Sequence, residues 1–229
     1  MLSRALHNQI LQALPETALL RWLKNGNIEL LQAGQVLCAP RQRMLDMHFP
    51  LTAILAWSNL LEDGTTTAIA MVGREGAAGQ HNMLDFSNHL MVQCAGQSLR
   101  LPADLVRETL HQHPAARARY AHFMRAFATQ VSQTAVCNRH HSLERQLIRL
   151  LLFTLDRSIG DTLRMTQVQI ADMLGARREG VTTAASLLQQ RGLIRYSRGR
   201  ITIPDRQALE QHACECCRLM TRAYGAAQT

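Results

Sequence analysis

The chain has 229 residues, 47% apolar and 18% charged, enough for one large domain or two small ones with a real core. That balance excludes a disordered chain, and no apolar run approaches the roughly 20 residues of a membrane helix. The net formal charge is +8, and every basic residue except Lys24 is arginine. The excess is uneven. Residues 1–135 carry eleven basic and nine acidic side chains, whereas residues 136–229 carry fourteen and eight. The C-terminal part is therefore the one suited to a polyanion, nucleic acid before membrane. The first twenty residues show no signal-like anatomy, so a cytoplasmic protein is expected.

Residues 5–23 read as a helix broken at Pro15, with Leu6, Ile10, Leu14, Leu19 and Leu23 on its apolar positions. From Ile28 to about Arg100 short apolar runs alternate with turn signals such as Ala33-Gly34, Pro50 and Asp63-Gly64. Strands at this spacing predict a small sandwich or barrel-like roll. Pro102 opens a short helix ending near His113, and Pro114 suits the first turn of a longer one. There Tyr120, Met124, Phe127, Val131 and Thr134 recur at alternating four- and three-residue steps, a coiled-coil-like seam that predicts a homodimer, with an ordinary core-facing helix as the alternative. Asn138-Arg-His-His is polar and reads as a hinge. Ser142 then starts a helix with a leucine stripe at 143, 147, 150, 151 and 155.

Residues 166–203 carry the most specific pattern. Thr166 is a good N-cap, Gly175 supplies a tight turn, and a second helix runs from about Arg177 to Gln190. Two short strands surround Ser197-Arg198-Gly199. This is a helix–turn–helix followed by a hairpin wing. Thr166, Gln167, Arg177, Arg178, Glu179, Thr182, Thr183 and Ser186 are the candidate groove contacts. Arg198 and Arg200 are candidate wing contacts to phosphate or the minor groove. Arginine pairs bidentately with guanine, and a glutamate accepts from a cytosine amine.

On these residues the chain resembles the Crp/Fnr superfamily of bacterial transcription regulators. The resemblance implies an α+β fold: an N-terminal cyclic-nucleotide-binding-like β-roll over 1–113, a dimerisation helix over 114–138, and a winged helix–turn–helix domain over 139–229. It also implies double-stranded DNA, a second copy of the chain and RNA polymerase as partners. Arg178-Glu179 match the family's recognition-helix pair, but Thr183 stands where a second arginine is common, so base preference should differ. The effector pocket of such a roll falls on Gly79, Gln80, Asn88 and His89. Gly79-Gln80 stands where a Gly-Glu pair holds ribose, and no arginine accompanies Ser87-Asn88-His89 to hold a phosphate. Cyclic AMP is therefore not expected as a ligand, since a buried anion needs its cation.

The six cysteines form no paired CxxC pattern, and Cys38 stands without the N-terminal cluster of the iron–sulfur branch. In His212-Ala-Cys214-Glu-Cys216-Cys217, helical spacing puts His212 with Cys216 and Cys214 with Cys217 on different faces. No metal site is assigned from sequence, and the cofactor is left open. An enzyme is not expected, because GxSxG, HExxH and phosphate-loop motifs are absent. The alternative is a ligand-binding or scaffolding protein whose winged helix no longer serves DNA, and the exposed arginines weigh against it.

Overall fold

The computed structural model describes residues 7–40, 42–79, 88–158 and 160–225. Two short helices open it, α1 (Gln9–Gln12) and α2 (Glu16–Asn25), separated at Pro15. Eight strands follow: β1 (Asn27–Leu31), β2 (Val36–Cys38), β3 (Asp46–Pro50), β4 (Ile54–Leu60), β5 (Thr66–Val72), β6 (Ala78–Gly79), β7 (Asn88–Cys94) and β8 (Gly96–Pro102). They form two four-stranded sheets, ordered β1-β8-β3-β6 and β2-β7-β4-β5, with every pairing antiparallel. Phe49, Leu55, Trp57, Leu90 and Leu99 fill the space between them. Trp22 closes one end, 5.0 Å from the Phe49 ring, and its indole N–H donates to Thr109 Oγ1 at 2.8 Å.

Helix α3 (Ala103–Gln112) leads into the long α4 (Pro114–His140), with Pro114 in its first turn. The rest is a separate layer: α5 (Leu143–Arg157), β9 (Thr162–Arg164), α6 (Gln167–Leu174), α7 (Arg178–Gln190), β10 (Arg195–Ser197), β11 (Arg200–Thr202), α8 (Arg206–Gln211) and α9 (Glu215–Gly225). The long helix passes the expected hinge at Asn138 and ends only at His140. No Gly or Pro interrupts Asn138-Arg139-His140, and basic residues suit the negative end of a helix dipole. The break narrows to His141 and the N-cap Ser142, whose hydroxyl accepts from Arg145 N–H.

Strand β4 is buried on both faces, which hides the alternation expected of a sheet. Leu55 and Trp57 point into the roll, while Ile54 and Ala56 join the core of the C-terminal layer. Ala68 and Met71 on β5 face that layer as well. The two layers are also tied by charge. Arg157 on α5 donates from Nε to Glu75 Oε1 at 2.8 Å, with both side chains nearly buried (4% and 10% exposed). The Arg157 guanidinium lies 4.6 Å from the Phe153 ring centroid and 4.9 Å from that of Tyr224.

The seam predicted for a partner helix is turned inward. Phe127 belongs to the roll core, and Tyr120, Met124 and Val131 pack against it. Thr134 is buried and accepts from Arg149 Nη1 at 2.9 Å. The helix carries a second row in the same heptad rhythm, and a roll needing an apolar lid took the apolar row. Arg125, Ala128, Ser132, Ala135 and Arg139 are left facing solvent.

Candidate nucleic-acid interface

The C-terminal layer is a winged helix, and each of its turns has a local cause. Thr166 caps α6 in a reciprocal box: its hydroxyl accepts from Gln169 N–H, and the Gln169 side chain accepts from Thr166 N–H at 2.8 Å. Gly175 ends α6 in the left-handed region (φ 60°), and a Cβ there would lie 2.3 Å from Thr67 Oγ1 of the roll. Only glycine meets both demands. The Thr182 hydroxyl donates to Gln167 Oε1 at 2.9 Å, fixing α7 across the start of α6. Val181, Ala184, Ala185 and Leu188 bury the inner face of α7.

The wing is a three-stranded sheet, β10-β11-β9, so a strand outside the expected hairpin completes it. Its tip is a two-residue turn between paired Ser197 and Arg200, with Arg198 at φ 48° and Gly199 at φ 73°. Positive φ at both positions defines the turn that suits strand twist. Asn or Gly is the comfortable choice at the first of them, so an arginine there is strained. The Tyr196 hydroxyl donates to Met165 carbonyl at 3.0 Å, and Tyr196 N–H donates to Gln189 Oε1 at 2.7 Å, anchoring the wing to α7 and to the start of α6.

None of the predicted contact residues is buried. Thr166, Arg177, Arg178, Glu179, Thr182, Thr183, Ser186, Arg198 and Arg200 are exposed or partly exposed, and Gln167 is half-buried. Thr166, Gln167, Arg178, Arg198 and Gly199 line a single cleft between α6, α7 and the wing. Among the described residues, Arg177, Arg178, Arg198 and Arg200 form no ion pair with a carboxylate. Elsewhere in the layer the pattern is mixed, since among the described residues Arg145, Arg195, Arg218 and Arg222 form no ion pair with a carboxylate either. Arg191 is paired with Glu144 at 2.6 Å, and Arg206 with Asp156 and Glu210 at 2.6 and 2.7 Å. Arg164 extends the basic wing, opposite Arg200 in the β9–β11 register. The alternation in Thr162-Leu163-Arg164 was the only sequence signal for it.

Of the expected effector residues, only Gly79 and His89 are fully described. Gly79 is on β6 in one sheet, opposite Met47, and His89 is on β7 in the other, opposite Ser58. Leu90 points into the roll, so alternation turns His89 to the outer face with Met91. Gln80 and Ser87 lie outside the described residues, and of Asn88 only the backbone is described. A different hollow, about 350 Å³, lies against the roll and is lined in part by Glu29, Gln35, Asp46, His48 and Arg100.

Burial, with Arg100 nearby, lowers the His48 pKa to about 4, only partly opposed by Asp46. The folded state therefore holds His48 neutral, while the unfolded chain protonates it below about 6.5. Its contribution is complete above pH 6.5 and is lost as pH falls toward 4. The expected loss is on the order of 3 kcal/mol. Urea midpoints of the parent and His48→Gln, taken at pH 7 and pH 5, measure this. The variant should show the shallower pH dependence, and equal slopes would remove His48 as the cause.

The fold is a β-roll followed by a winged helix with an exposed basic face. The Crp-like helix–turn–helix domain family matches residues 145–212. No curated protein matches the chain in sequence. Among solved structures, FixK2 from Bradyrhizobium japonicum superposes with a TM-score of 0.68 at 13% identity, covering 82% of this chain and 98% of that one. The CLP global regulator of Xanthomonas campestris gives 0.63 at 11%, covering 82% and 99%. A CRP-family regulator from Thermus thermophilus gives 0.62 at 19%, covering 81% and 96%. These likenesses are of fold. Together with the domain match they show a Crp-like helix–turn–helix domain over residues 145–212 in a chain with the fold of Crp/Fnr regulators. Among the described residues no helix is long and apolar enough to cross a membrane.

Proposed function

We propose that the protein acts as a homodimer on a pseudo-palindromic operator, reading bases with α7 and gripping phosphates with the wing, without gating by cyclic AMP. The observation that carries this reading is the exposed arginines, Arg178 and Arg198 among them, at the cleft between α6, α7 and the wing. Among the described residues Arg177, Arg178, Arg198 and Arg200 have no carboxylate partner. An unpaired arginine cluster matches the phosphate lattice and releases counterions on binding. Arg178 suits a guanine edge and Glu179 a cytosine amine, and Arg177, Thr182, Thr183 and Ser186 are exposed as well. Thr166, Gln167, Arg198 and Arg200 hold the register on the backbone.

Dimerisation uses the outward row of α4, where Ala128, Ser132 and Ala135 let a second helix approach closely. A two-fold dimer places its half-sites about 10–10.5 base pairs apart, or a multiple of that. RNA polymerase is the partner that a promoter-bound regulator meets, and the cytoplasm is where it works. Fluorescence anisotropy on a bound duplex at rising salt tests the phosphate assignment. Arg198→Ala/Arg200→Ala should weaken all sequences alike and flatten the slope by about one per lost phosphate contact. Calorimetric titration with cyclic AMP should give no binding, and sub-micromolar affinity would overturn that part.

A further inference from the structure

Where the long helix meets the C-terminal helix, four ligand-type side chains from distant parts of the chain converge. Cys137 and His141 lie four residues apart at the end of α4. Cys214 and Cys216 flank the first residue of α9. Their ligand atoms all lie within 4.8 Å of one another. Cys137 Sγ is 3.7 Å from Cys214 Sγ, and Cys216 Sγ is 3.7 Å from His141 Nδ1. With Zn–S near 2.3 Å and Zn–N near 2.0–2.1 Å, a tetrahedral site has edges of about 3.6–3.8 Å. Two edges already have that length, and the others need only a small inward movement.

The surroundings agree. His141 Nε2 lies 3.4 Å from Glu215 Oε1, so a carboxylate orients the ring and leaves Nδ1 for the metal. Cys137, Cys214 and Cys216 are buried, as is Arg149 beside Cys137. Among the described residues Arg149 has no carboxylate partner. Its Nη atoms donate to Thr134 and Asn138 at 2.9 and 3.1 Å, and its Nε has no acceptor. A buried cation without a counter-charge is costly. Three thiolates and one divalent ion carry a net charge of about −1, which supplies the counter-charge.

We propose that Cys137, His141, Cys214 and Cys216 form a closed Cys₃His zinc site that fastens the C-terminal helix to the end of the long helix, beside the interdomain break at His141–Ser142. Binding releases the thiol protons to solvent, so retention falls in acid. The sequence reading missed this site because it paired residues within 212–217. His212 is exposed and takes no part, and Cys214 precedes the helix rather than lying on it. The one available local signal was Cys137-x₃-His141. The proposal is independent of the DNA-binding reading.

The test uses the full chain purified anaerobically under reducing conditions. Elemental analysis should find one zinc per chain. Cobalt(II) added to the stripped protein should give tetrahedral d–d absorption in the red, with thiolate-to-cobalt charge transfer in the near ultraviolet. Cys216→Ser should weaken that charge-transfer band and lose the bound equivalent, while Cys217→Ala should keep both. Glu215→Gln should lower zinc affinity by about tenfold. Three results would overturn the site. One is parent protein with neither zinc nor a tetrahedral cobalt spectrum. The second is a Cys137–Cys214 disulfide in the fresh protein. The third is zinc undiminished in Cys214→Ser/Cys216→Ser.

Discussion

Arg178→Ala/Glu179→Ala is expected to abolish discrimination between operator and random DNA while leaving the protein folded. Both side chains are exposed on the first turn of α7, and neither forms an ion pair among the described residues. Their removal therefore creates no cavity and strands no charge. A bidentate base contact contributes about 1–3 kcal/mol of discrimination, and a two-fold dimer makes each contact twice. Loss of Arg178 alone then removes about 2–6 kcal/mol, roughly 30-fold to 10⁴-fold in specific affinity. Non-specific binding should change far less, because the wing arginines remain. Anisotropy with operator and scrambled duplexes measures both. A double variant that still discriminates as well as the parent would mean that α7 does not read the bases.

Glu75→Gln is expected to have the largest effect on stability of any single change in the roll's turns. Glu75 is the only carboxylate within ion-pair distance of Arg157 among the described residues, and it also accepts from Gly73 N–H at 3.1 Å. Gln keeps an oxygen to accept from Arg157 Nε but removes the charge, so the buried guanidinium, held also by the Phe153 carbonyl at 3.1 Å and by the Phe153 and Tyr224 rings, loses its counter-charge. Breaking a buried pair in this way costs about 3–5 kcal/mol. For a chain of this length that lowers the melting temperature by about 10 °C. The lost contact joins the roll to the C-terminal layer, so unfolding should also become less cooperative. Glu75→Leu/Arg157→Met, which removes both charges, should recover most of the loss. Calorimetry of the parent, single and double variants decides it. A single variant as stable as the parent would show that the pair contributes nothing to docking.

What could be read from sequence was local. The winged helix depends on spacing within 166–203, on the Thr166 cap, on Gly175 and on the Ser197–Arg200 turn. Each acts over a few residues and leaves its mark in the chain. The roll was legible as strands separated by turns. The burial of β4 on both faces was not, because its second cover is a layer more than eighty residues downstream. Which row of α4 faces the roll was not legible for a related reason. One helix carries two heptad rows, and periodicity does not say which one the chain keeps for itself. The cysteine and histidine cluster was hidden by distance, since its halves lie 77 residues apart at Cys137 and Cys214.

The measurement that bears most directly on the central claim is selection of bound fragments from genomic DNA by the purified protein at physiological salt, without added ligand. A homodimeric α7 reader predicts one enriched pseudo-palindrome, with half-sites about 10–10.5 base pairs apart or a multiple of that. Its enrichment should vanish in Arg178→Ala/Glu179→Ala. No enriched motif, either with the protein alone or after adding a metabolite extract, would contradict the account and favour a scaffold whose winged helix no longer serves DNA.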